Sequence, residues 1–424
     1  MLKTFEKLFA MAMLAYGCNA FGLLLVGPIS DVQRLAPEGN TAGLAAQIGF
    51  HAVAWLFYIL HAKKLTFVIV RTHWWTPILL FAVCSTAWSQ DPILTFKRSL
   101  ILIGTFLFGL YFGSRFELKE QIQILAWMFL LVLMASAAVA IAAPNLGVGS
   151  GGHLGNWRGL FTQKNVLARV AVLATLVFFF WRPSYRPLRY FALVFAIMVL
   201  AMTRSATGLA VLICLLIVTP LFRLVRTQAK LLVPTAMLLL TAGAALSIVL
   251  VTNSGVASAL LGRDSTLTGR TTLWHECLVS IIKRPILGYG FDAFWRGMVG
   301  ESARVNLAAH WLVPTAHNGI LQLWLDLGAM GLALFVLAYA VYVRKSLRFY
   351  LVNEGYLRAW PLAYMAFLFF YNFTEVTELD QNNIFTMLVA ALAATITVRA
   401  FEMETDEDKY PSTRDFETQP IYLS

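Results

Sequence analysis

His317 is placed, by type and position, to take up a proton. It precedes an apolar run that starts at Asn318, and the N-terminus of a helix carries about +0.5 charge. That partial charge disfavours imidazolium and keeps the ring neutral, which is the form of a general base. A plain interfacial histidine is the alternative. Asp326 follows nine positions later, roughly half a revolution around a helix, so it is not expected to orient His317.

A second set of candidates is basic. Arginine suits phosphate, because its guanidinium group makes bidentate hydrogen bonds to phosphate oxygens. Arg204 lies in a turn of two or three residues between apolar runs, where a long side chain has little room to reach away. The other candidates are Arg158, Lys164, Arg263 and Arg270. Alternatively, these cations anchor lipid headgroups or pair with Glu375, Glu378 and Asp380.

The elements that carry these residues belong to a membrane protein. Of the 424 residues, 59% are apolar and 13% are charged, against roughly a quarter charged in a soluble domain. A soluble fold cannot cover so much apolar surface with so few charges, which excludes a soluble enzyme. The fold class we predict is all-α, a polytopic membrane protein.

Apolar runs long enough to cross ~30 Å of hydrocarbon recur about twelve times. The predicted spans are 9–28, 43–61, 66–88, 98–113, 121–143, 162–181, 187–203, 205–222, 230–252, 318–343, 357–373 and 381–400. The third is the weakest, because Arg71 and His73 interrupt it. Basic residues cluster in alternate loops, which places both termini in the cytoplasm by the positive-inside rule.

This topology gives one transmembrane domain, 1–401, with a long periplasmic segment at 253–317. Apolar residues recur at every fourth position from Leu273 to Ile281, which predicts an amphipathic helix on the membrane surface. The remainder, 402–424, holds seven acidic and two basic residues, and we predict a disordered cytoplasmic tail.

No motif indicates a nucleotide, metal or redox cofactor. Residues 147–152 have the spacing GxGxxG but follow no predicted strand. Residues 406–408 have the spacing DxD but lie in the acidic tail. We therefore predict no cofactor and no metal. The net charge of +11 is typical of cytoplasmic anchors and does not indicate nucleic-acid binding.

Four segments resemble those of the O-antigen ligase and polymerase superfamily. Residues 317–331 (HNGILQLWLDLGAMG) are similar to the family motif at the start of a late span. Residues 264–274 (DSTLTGRTTLW) and 285–290 (PILGYG) are similar to the block just before it. Residues 203–205 (TRS) resemble the family's short periplasmic arginine turn.

The resemblance implies a glycosyltransferase of the bacterial inner membrane that works at the periplasmic face without a metal or nucleotide. From the resemblance we predict an O-antigen ligase, which transfers a glycan from undecaprenyl diphosphate to lipid A–core. An O-antigen or exopolysaccharide polymerase, which transfers the glycan to another lipid-linked repeat, is the alternative. By motif, Arg204 and Arg270 match the functional arginines and His317 the functional histidine. The predicted substrate-binding residues are Arg158, Lys164, Arg263 and Asn318.

The chemistry expected of such a site is direct displacement. A lipid diphosphate is a good leaving group that needs charge neutralisation, which arginines supply. One base and no carboxylate nucleophile favour inversion. A secondary transporter, which also has about twelve spans, is the alternative of another class. Transporters usually show internal repeats and broken helices, and neither is evident in the sequence.

Overall fold

The computed structural model describes residues 2–22, 41–149, 155–227, 268–377 and 379–409. Every regular element in these ranges is helical. The α-helices are α1 (Leu2–Gly17), α2 (Thr41–Leu60), α3 (Ala62–Arg71), α4 (Thr76–Cys84), α5 (Pro92–Arg115), α6 (Leu118–Ala142), α7 (Pro144–Gly147), α8 (Lys164–Phe180), α9 (Arg186–Thr203), α10 (Ala206–Thr227), α11 (Thr268–Lys283), α12 (Glu301–Ala309), α13 (Gly319–Val352), α14 (Trp360–Asn372) and α15 (Ile384–Lys409).

Six of these helices are long and apolar enough to cross a membrane: α2, α5, α6, α9, α13 and α15. A seventh span results if the bent pair Ala62–Arg71 and His73–Ala87 is counted as one. This confirms the all-helical fold class and the apolar helices of a membrane protein. The described residues do not reach the predicted twelve spans, and the predicted span 230–252 lies outside them.

The third predicted span is broken where Arg71 and His73 interrupt its apolar run. The two parts of the bent pair meet at 63°, at Thr72. Its hydroxyl donates to the carbonyl of Val68 (2.8 Å), which closes the end of α3. Just before the break, the Arg71 guanidinium lies over the rings of Phe67 and Phe401, 4.8 and 4.9 Å from their centroids.

The core of the bundle forms where α5 packs against α15. Gly109 and Gly113 face the other helix so closely that an added Cβ would lie 2.2 Å from the Met387 carbonyl and 1.9 Å from the Ala391 carbonyl. Small residues at a helix contact allow this approach of backbones in membrane proteins. The contact fixes the N-terminal end of α15, and with it the residues 379–383 just before the helix.

α13 is broken at Gly328, which has φ 67° and ψ −171°. The carbonyl of Leu325 accepts a hydrogen bond from the Tyr289 N–H (2.8 Å), and the Ala329 N–H donates to the Pro285 carbonyl (2.8 Å). The segment 285–290 therefore pairs with backbone groups that the break releases. The expectation of no broken helix was wrong, because a glycine inside an apolar run gave no sign of the partner segment.

The predicted amphipathic helix is present as α11. Its regularly spaced residues Leu273, Cys277 and Ile281 are buried, but they pack with Tyr289 and Phe294 in a small core of their own. These three residues therefore meet protein, since the chain after α11 folds back over them, whereas Leu278 and Ile282 on the same predicted face are exposed. The location of α11 on a membrane surface stays a prediction. Salt bridges also join α11 to the short helix α12 that follows.

Two predicted features lie partly or wholly outside the described residues. α15 continues to Lys409, so the boundary predicted at 402 falls inside a helix, and 410–424 are not described. Of the segment 253–317, the part before 268 is likewise outside. The predicted tail and the periplasmic location of the long segment stay predictions.

Candidate functional site

A buried carboxylate, Glu375, forms the centre of the site. It lies in the loop between α14 and α15 and is 9% exposed. Its Oε1 accepts a hydrogen bond from Arg270 Nη2 (2.9 Å), and its Oε2 lies 3.0 Å from His317 Nδ1. Two of the three predicted catalytic residues, Arg270 and His317, are thus brought together by an acidic residue.

Local hydrogen bonds hold His317 at the start of α13. Asn318 is the N-cap of the helix, and its Oδ1 accepts from the N–H groups of Ile320 (3.0 Å) and Leu321 (3.1 Å). Its Nδ2 donates to the Phe373 carbonyl (3.3 Å), which ties the cap to the loop of Glu375. His317 precedes the cap with φ 48°, and this turn directs its ring toward Glu375.

Arg270 is held from the first turn of α11. Besides its salt bridge to Glu375, its Nη1 donates to the carbonyl of Thr374 (2.8 Å). The two bonds fix the plane of the guanidinium against consecutive residues of one loop. Pairing with a loop acid, the alternative to phosphate binding, is observed between Arg270 and Glu375, while Glu378 lies outside the described residues.

The electrostatic balance favours an ionised Glu375. Burial raises the pKa of this carboxyl, but the interactions with His317 and Arg270 outweigh burial and hold the pKa well below its ordinary value. A carboxylate has no proton to donate, so the Nδ1 of His317 carries the shared hydrogen. The lone pair of a neutral ring is then on Nε2. Among the described residues, none hydrogen-bonds to that atom.

A second layer of polar residues connects the site to the turn at 203–205. Asn165, in the first turn of α8, donates from Nδ2 to Glu375 Oε1 (3.4 Å) and accepts at Oδ1 from the Ser205 hydroxyl (3.2 Å). One turn later, Arg169 donates to the Val376 carbonyl. Sequence reasoning did not place Glu375, Asn165 or Arg169 in the site. The signals were their position near the ends of predicted spans and, for Glu375, a charge opposite to that of the basic candidates.

Arg204 reaches the surface beside this network. It is the C-cap of α9 with φ 51°, its side chain is exposed, and its guanidinium lies next to Gly155. The Trp157 N–H donates to the Met202 carbonyl (3.0 Å), which fixes the turn against the 155–159 loop. The described hydrogen bonds and salt bridges do not join Arg204 to Glu375. Only Ser205 links the turn to the central cluster.

The other predicted substrate-binding residues have different surroundings. Arg158 donates from Nε to the Leu146 carbonyl (2.9 Å) and from Nη2 to the Asn145 carbonyl (3.4 Å), so it stabilises the α7 segment. Lys164 is the first residue of α8, at the same helix end as Asn165. Arg263 lies outside the described residues. Their roles in binding stay predictions.

Asp326 does not orient His317, as the helical spacing predicted. It is 5% exposed and accepts at Oδ2 from Gln322 Nε2 (2.8 Å). Gln322 Oε1 in turn accepts from the Ala316 N–H (3.0 Å), which supports the backbone just before His317. Within the described ranges, no group of three or more His, Cys, Asp or Glu side chains is placed to hold a metal ion.

The comparisons with known proteins agree with the resemblance noted from the sequence. The sequence model of the O-antigen ligase family matches residues 191–336, a segment that contains Arg204, Arg270 and His317 but not Glu375. This match confirms the family resemblance over that segment.

Curated relatives match over shorter stretches. A protein of Rickettsia prowazekii with the provisional name polysaccharide ligase is 36% identical over 88 residues, 20% of this chain and 22% of the relative. A Rickettsia typhi protein of the same provisional name is 35% identical over 79 residues, 18% and 20% of the two chains. The exopolysaccharide production protein ExoQ of Rhizobium meliloti is 31% identical over 81 residues, 18% of each chain. The alignments thus span about a fifth of each relative.

Proposed function

We propose that this chain is an O-antigen ligase, a metal-independent, inverting glycosyltransferase of the bacterial inner membrane. In this proposal it transfers a glycan from undecaprenyl diphosphate to lipid A–core at the periplasmic face. The observation that carries the proposal is the buried cluster of His317, Glu375 and Arg270 at the start of α13. The family match over 191–336 supports the reaction class.

His317 acts as the general base in this reaction. Glu375 holds the Nδ1 hydrogen, so Nε2 of the neutral ring accepts the proton of the acceptor hydroxyl as its oxygen attacks the anomeric carbon. The ring then becomes imidazolium, and the adjacent Glu375 carboxylate stabilises the new positive charge. A base in this position typically contributes about 10²–10⁴-fold to the rate.

The arginines stabilise the leaving group. The bond between the anomeric carbon and the diphosphate oxygen breaks, and its electron pair stays on the diphosphate. Arg204 is exposed and has its guanidinium fork available for phosphate oxygens. Arg270 is committed to Glu375 and Thr374 through two of its nitrogens, so it contributes mainly charge and the positioning of Glu375.

The same geometry favours inversion. A retaining mechanism needs a carboxylate that is free to attack the anomeric carbon. Both oxygens of Glu375 are occupied, one by Arg270 and one by His317. The proposal therefore has a single displacement, in which the acceptor oxygen forms the new bond on the face opposite the departing diphosphate.

The banding pattern of lipopolysaccharide in a deletion strain tests the function. Loss of a ligase leaves bare core and accumulates lipid-linked polymer, and the wild-type gene restores the ladder. A gene carrying Glu375→Ala should fail to restore it although the protein inserts, because His317 and Arg270 lose their shared partner. Core that carries one repeat in the deletion strain would contradict the ligase assignment.

A polymerase is the second candidate. The similarity to ExoQ, which is named for exopolysaccharide production, favours it. The same base and arginines would serve, since only the acceptor differs: a lipid-linked repeat replaces lipid A–core. The deletion strain distinguishes the two, because loss of a polymerase leaves single repeats ligated to core and no long polymer.

A further inference from the structure

A second polar cluster lies along α5, outside the Glu375 site. Arg98 donates to the backbone carbonyl of Asp292 and lies 3.5 Å from its Oδ1. Gln381 Nε2 donates to Asp292 Oδ2 (3.0 Å). Asp380 is adjacent in the chain, and its Oδ2 accepts from Asn383 Nδ2 (2.9 Å). Arg98, Asp292, Asp380 and Gln381, all partly exposed, are called the acidic crevice below.

Polar contacts continue along α5 beyond the acidic crevice, at the buried Thr105. The Asn382 N–H donates to Thr105 Oγ1 (2.9 Å), and Asn382 Oδ1 lies 3.0 Å from His51 Nε2. Thr105 follows Arg98 by seven residues, roughly 10 Å along α5. Polar groups this far along a membrane-spanning helix usually face the protein interior or a water-filled cavity and mark a functional path.

The acidic crevice has more acceptors than donors. Burial raises the pKa of Asp292 to about 6, with the Arg98 charge opposing the rise and the Asp380 carboxylate adding to it. Asp326 lies close enough to interact electrostatically with Asp292 and Arg98. Its Oδ1 is buried and has no hydrogen-bond partner among the described residues. Three carboxylates thus share one arginine, and one carboxylate oxygen lacks a donor.

This excess of hydrogen-bond acceptors over donors determines which class of ligand can bind. A diphosphate would be repelled by the carboxylates of Asp292 and Asp380 once they are ionised. A metal ion does not fit, since no described group of three acidic or histidine side chains is arranged to hold one. Sugar hydroxyls fit, because they donate to carboxylates and also accept from the guanidinium and amide groups of Arg98 and Gln381.

We infer that the acidic crevice binds the hydroxyl groups of a glycan substrate, next to the sugar that reacts at His317. The inference rests on the proposed function, which supplies glycans as donor and acceptor. Glu375 and Asp380 lie five residues apart in one loop, and Arg169, bonded to Val376, lies between them. A sugar in the acidic crevice is therefore held by the loop that orients the catalytic base.

Steady-state ligation by the purified full chain in nanodiscs tests the inference, with each substrate varied while the other is saturating. Asp292→Asn and Gln381→Ala each remove a hydrogen bond to the sugar, so KM for one glycan substrate should rise by about tenfold. Its kcat should stay near the wild-type value, because neither residue touches the reacting atoms. The substrate whose KM rises identifies whether acceptor or donor glycan occupies the acidic crevice.

Matched controls separate a lost sugar contact from lost charge. Lys97→Ala removes an exposed cation beside Arg98. Asp91→Asn removes a carboxylate while keeping a residue that caps α5. Each variant should leave the KM values of donor and acceptor unchanged. Unchanged KM values in Asp292→Asn and Gln381→Ala, with wild-type turnover intact, would overturn the inference alone. Absence of ligation by the wild-type chain would overturn the proposed function and, with it, the inference.

Discussion

At Glu375 an arginine and a histidine each donate a hydrogen bond to one buried carboxylate, so each residue depends on the other two. Removing one partner from a buried ion pair typically costs 3–5 kcal/mol, because the remaining charge keeps its desolvation penalty. Arg270 and His317 bind different oxygens of Glu375, and loss of either leaves one oxygen short of its main donor. Activity and folding are therefore coupled at Arg270 more tightly than at Arg204, which is exposed.

The first prediction concerns His317 as the base. His317→Gln keeps a hydrogen bond to Glu375 but cannot take up a proton, so kcat should fall by about 10²–10⁴-fold. The wild-type kcat should also fall in acid, as the ring becomes protonated, and the variant should lose this dependence because Glu375 remains ionised. Single-turnover ligation measured across pH provides both results.

His310→Gln is the matched control for that variant. His310 also has a positive φ, 61°, but it is exposed at the end of α12 and should tolerate the change with normal turnover. Near-normal turnover by His317→Gln, with the acid limb intact, would instead leave His317 as a positioning group.

The second prediction separates the two arginines. Arg204→Ala should lower ligation by about 10²–10³-fold with an unchanged unfolding temperature, because its side chain makes no buried salt bridge in the described structure. Arg270→Ala should lower both the ligation rate and the unfolding temperature, since Glu375 loses its ion pair. Lysine should rescue poorly at Arg204, because a point charge cannot copy the bidentate fork. Full activity of both alanine variants in vitro would identify them as headgroup anchors.

The third prediction follows from the raised pKa of Asp292, about 6 against an ordinary 3.8. A carboxyl with a raised pKa favours folding while protonated, so its contribution is lost as pH rises through about 6. Asp292→Asn mimics the protonated form. Its unfolding temperature should match the wild type only below the ordinary pKa of 3.8 and exceed it near about pH 8, because the wild type loses stability between these two pKa values. A difference that is constant, or largest in acid, would contradict the assignment.

Residue types and spacing were enough to find His317 and Arg270, because a base and a phosphate ligand have few chemical options. Glu375 appeared in the sequence only as one of three acids that could pair with cations. Its position at the centre depends on α11, α13 and the loop before α15 meeting at one point. A single sequence carries no signal for contacts between residues so far apart along the chain.

At the scale of elements, the break in α13 joins two motifs that sequence reasoning treated separately. The segment 285–290 fills the gap in the helix ladder, and Gly288 and Gly328 approach so closely that a Cβ on Gly288 would lie 2.6 Å from the Gly328 nitrogen. The helical spacing predicted the start of α13 correctly. It did not predict the break, because the break depends on a contact with the distant segment 285–290 and not on the helix propensity of the residues around Gly328.

The fourth prediction tests that junction. Gly328→Ala adds the strain of a backbone conformation that only glycine adopts readily, about 1–3 kcal/mol, and places Cβ 2.1 Å from the Ile286 carbonyl, which adds about 1–3 kcal/mol. Gly355→Ala is the matched control, since Gly355 has φ 82° but no atom within 4 Å of the added Cβ. Thermal unfolding should show a clearly larger loss for Gly328→Ala. Equal losses of stability in the two variants would mean that the close contact at Gly328 does not contribute to the destabilisation.

At the scale of the whole molecule, buried ionic clusters lie at both ends of the bundle. Glu375 marks the end that holds the predicted catalytic residues. At the other end of α5, Glu6 is fully buried and pairs with Arg115 Nε (2.6 Å) and His61 Nε2 (3.1 Å). Composition predicted a helical membrane protein correctly. It could not fix the number of spans, because several apolar runs form helices too short, or too bent, to count by length.

The fifth prediction is the orientation of the chain in the membrane. Basic residues cluster in the loops at the Glu6 end, which the positive-inside rule places in the cytoplasm. Arg182, in one such loop, lies 3.8 Å from the ring centroid of Tyr356 in another, so these loops share one face. A reporter active only in the periplasm should therefore be on when fused after Asn253 and off when fused after Phe401. The opposite pattern would place His317 and Glu375 in the cytoplasm, where the proposed acceptor is not presented, and would exclude the ligase reaction.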